Sequence, residues 1–573
     1  MPTTMFTPDL EKAGTDPAAN FSLPDAETLA RLASEMFRAL PNSEGPNGGS
    51  PNDAVPAELA SADPGFSRGG AGLTPANATP IQIPTEAPAS VPSLPGFPAD
   101  WSTPTGFKLP GEAELQALYV PDLPASVSPP QPANLQQGHS FYFLDESRLP
   151  ARGGASTAIP AVGATPFDVH AIRKDFPILG ERVNGRPLIW LDNAATTQKP
   201  WEVINRLSQF YQHENSNIHR AAHELAARST DAYEKARSKV RRFLNAASDN
   251  EIVFVRGTTE AINLVAQSWG RQNIGPGDEI VITWLEHHAN IVPWQLLCAE
   301  KGAVLRVAPV DDSGQVLLHD YERLLGPRTK LVSITQVSNA LGTVTPVAQM
   351  TASARRHGAR VLIDGAQSVA HMRADVQAIG CDWFVFSGHK VFGPTGIGAL
   401  YGRQEVLEAM PPWQGGGNMI RDVTFERTEY HGAPARFEAG TGNIADAVGL
   451  GAALDYVERI GMENIHAYEH ALLVYATRLL SGIPGLRLIG TATEKASVLS
   501  FVLDGFRSED VGSALNKEGI AVRSGHHCAQ PILRRFGLET TVRPSLAFYN
   551  TQAEIDALEA AIYRIKSGGV RTA

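Results

Sequence analysis

An α/β fold is what this sequence predicts: one large, mostly parallel sheet domain, a smaller α+β domain after it, and a long disordered leader before it. Three observations carry that prediction. From about Asp168 onward, short apolar runs bounded by Gly, Asp or Ser alternate with amphipathic helical stretches, the pattern of parallel strands buried on both faces. After residue 445 a long helical stretch, AVGLGAALDYVERIGMENIHAYEHALLVYATRLL, leads into a strand-rich tail around 495–503. Before residue 166 the chain holds 25 of its 41 prolines, whose fixed φ and missing amide donors oppose helices and central strands.

These breaks divide the 573 residues into an extension over 1–165, a large domain over 166–445 and a small domain over 446–573, which also takes in the start of the catalytic region. The extension is acidic, with 7 Lys+Arg against 17 Asp+Glu, so it accounts for −10 of the net charge of −11. Three apolar islands interrupt it. Leu29, Leu32, Met36, Phe37 and Leu40 form a helical stripe ending at Pro41, with Asp25 placed to cap its start. The others lie at 64–68, around Phe66, and at 141–144, FYFL. An isolated helix of this length is marginal in water, so the islands are expected to order on a partner.

Composition excludes several classes. A net charge of −11 argues against a nucleic-acid binder or a basic membrane-surface protein. Three cysteines, Cys298, Cys381 and Cys528, are too few for a disulfide framework and have no metal-site spacing. The N-terminus lacks a basic, then apolar, signal pattern, and no stretch approaches the ~18 apolar residues of a spanning helix. A cytoplasmic protein is expected.

Strands are expected at 251–255, 279–283, 330–335, 360–363 and 382–386, and the residues after them carry the chemistry. Ser387, Gly388, His389 and Lys390 follow the run DWFVF. A lysine at a buried strand's end is costly unless paired or neutralised, and a Schiff base to pyridoxal 5'-phosphate consumes the amine. Gly393, Gly396 and Gly398 allow close backbone approach there. Asp364 ends the run VLI, and parallel strands bring their carboxyl ends to one edge, so Asp364 and Lys390 can face one crevice. A carboxylate there suits a pyridinium nitrogen. Arg256, Gly257, Thr258 and Thr259 open a helix whose free amides favour a phosphate, although a simple helix cap has the same pattern. Next after a strand comes Glu286-His287-His288-Ala289-Asn290, where a ring stacked on a pyridine fits better than a metal site.

Together these motifs resemble the fold-type I pyridoxal-phosphate enzymes of the class V aminotransferase superfamily. The loop Arg523-Ser524-Gly525-His526-His527-Cys528-Ala529-Gln530-Pro531 resembles that of group II (Suf-type) cysteine desulfurases. The match includes LDNAATTQKP (191–200), NIHRAAHELA (217–226), QVSNALGTV (336–344), FEAGT (437–441) and RPSLAFYN (543–550). The resemblance implies that Lys390 bonds covalently to the cofactor, Asp364 pairs with its ring nitrogen, Gln367 contacts its ring oxygen and His287 stacks on it. It implies that Thr259, Ser387 and His389 hold the phosphate, with Thr258 beside them. Arg543, as a bidentate fork, and Asn339 would bind the substrate carboxylate, while His219, Arg220 and Arg523 line the pocket. Thr441 would reach a neighbouring protomer's cofactor, implying a homodimer; Gly442 and Gln414 depart from the family pattern nearby. L-Cysteine would give alanine and leave its sulfur on Cys528, kept as thiolate by His526, His527 or Arg523. Cys298 and Cys381 read as core residues.

Selenocysteine lyases and cysteine sulfinate desulfinases share this scaffold and remain alternatives, as does an aminotransferase or epimerase that ignores Cys528. The extension resembles the cargo-loading segment of encapsulin-associated cysteine desulfurases. That resemblance implies docking inside an encapsulin shell through Leu29, Leu32, Phe37, Leu40 and Phe66, or, alternatively, a tether unrelated to encapsulin. A sulfur-acceptor protein is a further expected partner.

Overall fold

The computed structural model describes residues 167–219 and 222–568. The islands around Leu29, Leu32, Phe37, Leu40 and Phe66, and also Arg220, lie outside the described residues.

Seven strands form the main sheet: β1 (Ile252–Val255), β2 (Glu279–Thr283), β3 (Val304–Ala308), β4 (Thr329–Thr335), β5 (Arg360–Asp364), β6 (Trp383–Ser387) and β7 (Gly398–Gly402). Their order is β1-β7-β6-β5-β4-β2-β3. All neighbours run parallel except β7, which is antiparallel to both β1 and β6. Alternate side chains serve opposite faces. Phe254, Val281, Val332, Ile363 and Phe384 enter one apolar core, and Val253, Ile280, Leu331, Leu362 and Trp383 the other. Burial on both faces explains why these runs are almost wholly apolar.

Five of the expected strands are present, while β3 and β7 lie beyond the expected set. β3 is one of the two edge strands and is half exposed, so it lacks the continuous apolar signature. β7 reads GALYG, and its first glycine is a matter of space. A Cβ on Gly398 would stand 2.4 Å from the Phe386 carbonyl oxygen and 2.8 Å from Gly257 Cα. Gly398 thus lets the turns after β1 and β6 close on one another.

Helices cover the sheet: α1 (Trp201–His213), α2 (Glu224–Phe243), α3 (Thr258–Val265) and α4 (Ile444–Ile460), with α4 packed on α1 and α2. A second core joins α5 (Met462–Ser481), α6 (Ser508–Lys517) and α7 (Gln552–Ser567) to an antiparallel sheet of β8 (Leu486–Ile489), β9 (Ser500–Leu503), β10 (Arg523–Gly525) and β11 (Thr541–Arg543), ordered β8-β9-β11-β10. Ile189 and Trp190 pair in parallel with Ile520 and Ala521, tying the early chain to this second lobe. No helix among the described residues is long and apolar enough to cross a membrane.

Candidate active site

The carboxyl ends of β2, β4, β5 and β6 meet at one edge, with Thr335 in register with Asp364 and Asp364 with Val385. Between them and the second lobe lies a cavity of about 280 Å³. Asp364, Gln367, Ser387, His389, Lys390, Thr258, Thr259, His287, Asn339, Arg523, Arg543 and Cys528 all line it.

At its floor Asp364 is 3% exposed, and its Oδ1 accepts the Ala366 amide at 2.9 Å. Burial pushes its carboxyl up, while that amide and Lys390 pull it down. Lys390 is pushed down to about 8 by burial, against the opposing pull of Asp364. Each group thus holds the other's charge in a place where neither is well solvated. Gln367 is anchored through its Nε2, which donates to the Ala194 carbonyl at 2.6 Å.

The start of α3 packs against the end of β6 on the cavity wall. Gly257, at φ 155, turns the chain so that the Thr258 amide meets Ser387 Oγ at 2.9 Å and the two hydroxyls lie 3.0 Å apart. A Cβ on Gly257 would press on Ser387 Oγ at 2.9 Å. His287 is pushed down to about 3 by burial and by the cations Lys390 and Arg543, so its ring is neutral, and its Nδ1 accepts the Ala289 amide at 3.0 Å.

The second lobe supplies the opposite wall. Arg543, in β11, is 2% exposed and donates through its terminal nitrogens to the Asn339 carbonyl at 2.8 Å and Asp192 Oδ1 at 3.2 Å. Its Nε is buried without a partner. The fork is therefore partly occupied, leaving Nε and the remaining hydrogens of its terminal nitrogens for an anion. Arg523 donates to the other oxygen of Asp192 at 3.1 Å.

His527 and Cys528 both adopt positive φ, 53° and 52°, which is unfavourable for residues with a Cβ. Four ties hold them. His527 Nε2 lies 2.8 Å from Thr541 Oγ1, Asn339 Nδ2 donates to the His527 carbonyl at 2.6 Å, the Cys528 amide donates to His526 Nδ1 at 3.0 Å, and the His288 amide to the Cys528 carbonyl at 2.8 Å. Burial and the two arginines push the His527 ring down to about 2. It is uncharged, so of the three neighbours expected beside the thiol, His526, His527 and Arg523, it does not serve as the cation.

Two expected residues stay outside this cavity. His219 Nε2 sits 3.0 Å from Glu234 Oε1, and that pairing holds the ring away from the pocket wall. Thr441 is exposed, its Oγ1 3.5 Å from Asn217 Oδ1, on a second hollow with Tyr233 and Glu438.

Two working residues had no assigned role in the sequence. Asp192 bridges Arg523 and Arg543; the signal was an acid closing an apolar run, PLIWLD, as Asp364 closes VLID. Glu286 is fully buried and accepts from Thr283 Oγ1 at 2.6 Å, the Thr335 amide at 3.1 Å and Asn290 Nδ2 at 2.7 Å. It joins the ends of β2 and β4 beneath His287. Cys298 and Cys381 are buried.

A cleft of this kind, at the carboxyl edge of a mixed sheet and closed by a smaller lobe, has a lysine and a carboxylate on adjacent strand ends. The chain belongs to the aminotransferase class-V family, whose model matches residues 189–558. It is 59% identical to a cysteine desulfurase of Synechococcus elongatus, over 98% of this chain and 94% of that protein. It is 52% identical to a cysteine desulfurase of Klebsiella pneumoniae, over 70% of this chain and 98% of that one. Among solved structures, the cysteine desulfurase CsdA of Escherichia coli superposes with a TM-score of 0.66 at 39% identity, covering 71% of this chain and all of that one. An apo cysteine desulfurase of Thermococcus onnurineus gives 0.67 at 36%, covering 73% and 100%.

Proposed function

We infer that the protein is a pyridoxal 5'-phosphate-dependent cysteine desulfurase that converts L-cysteine to L-alanine and takes the sulfur on Cys528 as a persulfide. One observation carries the reading: Lys390, Asp364, Arg543 and Cys528, from two lobes, line a single cavity.

The residues fit the cofactor. Lys390 Nζ has no hydrogen-bond partner among the described residues, so it is free for a covalent bond. Asp364 lies on a neighbouring strand end, and the α3 start with Ser387, Thr259 and His389 offers donors to a phosphate. When bound, pyridoxal phosphate supplies an electron sink for charge developing at the substrate Cα.

The chain's own groups do the rest. Asp364 keeps a negative charge at the floor that stabilises a protonated ring nitrogen. Arg543 and Asn339 take the substrate carboxylate, and the neutral His287 ring covers the cofactor face. Lys390 Nζ, brought near neutrality, removes the proton from Cα and can return one to the product. Cys528 Sγ, as thiolate, attacks the substrate sulfur: the Sγ–S bond forms, the Cβ–S bond breaks, and the carbon takes a proton to leave as alanine. A sulfur acceptor then removes the persulfide. Exposed Thr441 is assigned to a second protomer's cavity in a homodimer.

The extension is read as cargo-loading, docking through Leu29, Leu32, Phe37, Leu40 and Phe66 inside an encapsulin compartment, where sulfur is stored or transferred. What the relatives support is that the extension is separate from the enzyme: the Klebsiella enzyme, 98% covered, matches only 70% of this chain, whereas the Synechococcus one aligns over 98% of it.

Incubation with L-cysteine and a reductant should release sulfide and alanine in equal amounts, and both should vanish in Lys390→Ala and Cys528→Ser. Absence of sulfide from the parent protein overturns the activity. Deleting 1–165 should preserve turnover and abolish co-purification with a shell protein; retained encapsulation overturns the cargo reading.

A further inference from the structure

Behind the cavity wall, His389 is gripped by a segment that takes no part in the chemistry above. Its carbonyl oxygen accepts from the Thr197 amide at 3.0 Å, Thr196 Oγ1 at 2.9 Å, Thr197 Oγ1 at 3.2 Å and Lys199 Nζ at 3.3 Å. The imidazole Nδ1 lies 3.2 Å from Thr196 Oγ1, which in turn lies 3.3 Å from Lys199 Nζ. Lys199 also donates to the Thr197 carbonyl and has no carboxylate partner among the described residues.

Donor and acceptor roles along this row are constrained. An ammonium only donates, so Thr196 Oγ1 accepts from Lys199. The hydroxyl has one proton to give, and Nδ1, the His389 carbonyl and, at 3.5 Å, the Thr197 carbonyl lie within its reach, the last of these already accepting from Lys199. The carbonyl keeps three other donors without it, whereas Nδ1 has no second partner among the described residues. We propose that Thr196 and Lys199 are positioning residues that deliver the hydroxyl proton to His389 Nδ1, fixing the tautomer whose Nε2–H donates to the phosphate of the cofactor. This rests on the reading that the cavity holds a phosphate-bearing cofactor.

Electrostatics agree with a neutral ring. Burial, with the cations Lys390 and Lys199, pushes His389 down to about 4. A neutral imidazole donates through Nε2 only when Nδ1 accepts. Lys199 places a positive charge behind the ring, where its field favours an anion in front.

The test compares the affinity of the cofactor-stripped full-length chain for pyridoxal 5'-phosphate and for pyridoxal, which lacks the phosphate, by absorbance titration. Thr196→Val and Lys199→Met should each lose about tenfold toward the phosphorylated form, the worth of one charge-assisted hydrogen bond. Affinity for pyridoxal should stay unchanged, and Thr196→Ser should restore the parent value. Equal losses toward both forms, or no loss in either variant, overturn the proposal; if Thr196→Val fails to fold, Lys199→Met decides alone. A parent chain that binds both forms equally instead overturns the phosphate site itself.

Discussion

Asn339 Nδ2 donates to the carbonyl oxygen of His527 at 2.6 Å, joining the segment after β4 to the loop that presents Cys528. The same residue's carbonyl accepts from Arg543, and its Oδ1 is buried without a partner. One residue therefore touches the proposed carboxylate site and steadies two consecutive backbones at positive φ.

Asn339→Ala removes the side-chain tie to His527 while leaving the backbone carbonyl that accepts from Arg543, and the cysteine loop is then free to leave its strained form. Persulfide formation at Cys528, followed by mass spectrometry in a single turnover, should slow by about 10- to 100-fold, as for loss of a buried hydrogen bond in the transition state. Cofactor content should be unchanged. A variant that forms persulfide at the parent rate would show that the tie is only structural.

Lys390 in the cofactor-free chain is a half-buried cation, and its depression to about 8 has a stability consequence with a definite sign. The unfolded chain holds this proton up to the ordinary lysine range, so between about pH 8 and 10.5 it binds more protons than the folded chain. Stability rises with pH across that window, and the penalty is complete below it. Lys390→Met should therefore stabilise the cofactor-free protein at pH 7 by on the order of 1–3 kcal/mol while abolishing activity. Denaturant midpoints at pH 7 and pH 10 check this, and the gain should shrink at the higher pH.

Glu286 gives a prediction against simple size matching. Asn290 Oδ1 already accepts from Trp294 Nε1 at 2.9 Å and Ser333 Oγ at 2.5 Å, so its Nδ2 can only donate, and the Thr335 amide is likewise a fixed donor. These two occupy opposite carboxyl oxygens. An amide has only one acceptor, so Glu286→Gln turns its NH₂ toward one of them. The substitution should cost about 1–3 kcal/mol in thermal or denaturant unfolding although the shape is conserved.

The strands were legible where both faces are buried, as in EIVIT and WFVFS, because an apolar run at a strand's end needs no distant information. β3 and β7 escaped for opposite reasons: one is a half-exposed edge, the other depends on Gly398 fitting between two neighbours. Lys390, Asp364 and Cys528 stood out through local motifs. Asp192 did not, because its meaning lies in an alignment beside Ser545, more than 350 residues away, which sets it between two arginines. Nor could sequence tell that the His527 ring turns away to Thr541.

The two lobes also meet at a buried ion pair close to the cofactor strand. His371, seven residues past Asp364, has its Nδ1 2.6 Å from Glu469 Oε2, and Ser497 Oγ donates to the same oxygen at 3.2 Å. His371 and Glu469 are 5% and 2% exposed. Burial opposes the histidine's charge, but Glu469 raises it above the ordinary value, so the folded state holds the proton more tightly than the unfolded one. Stability from this pair is present below the ordinary histidine range and is lost as pH rises through the raised value. Glu469→Gln removes the partner that holds the proton, so it should destabilise most at pH 6, by about 3 kcal/mol. The difference from the parent should narrow toward pH 9, and an equal deficit at both pH values in denaturant unfolding would show that the pair is held neutral.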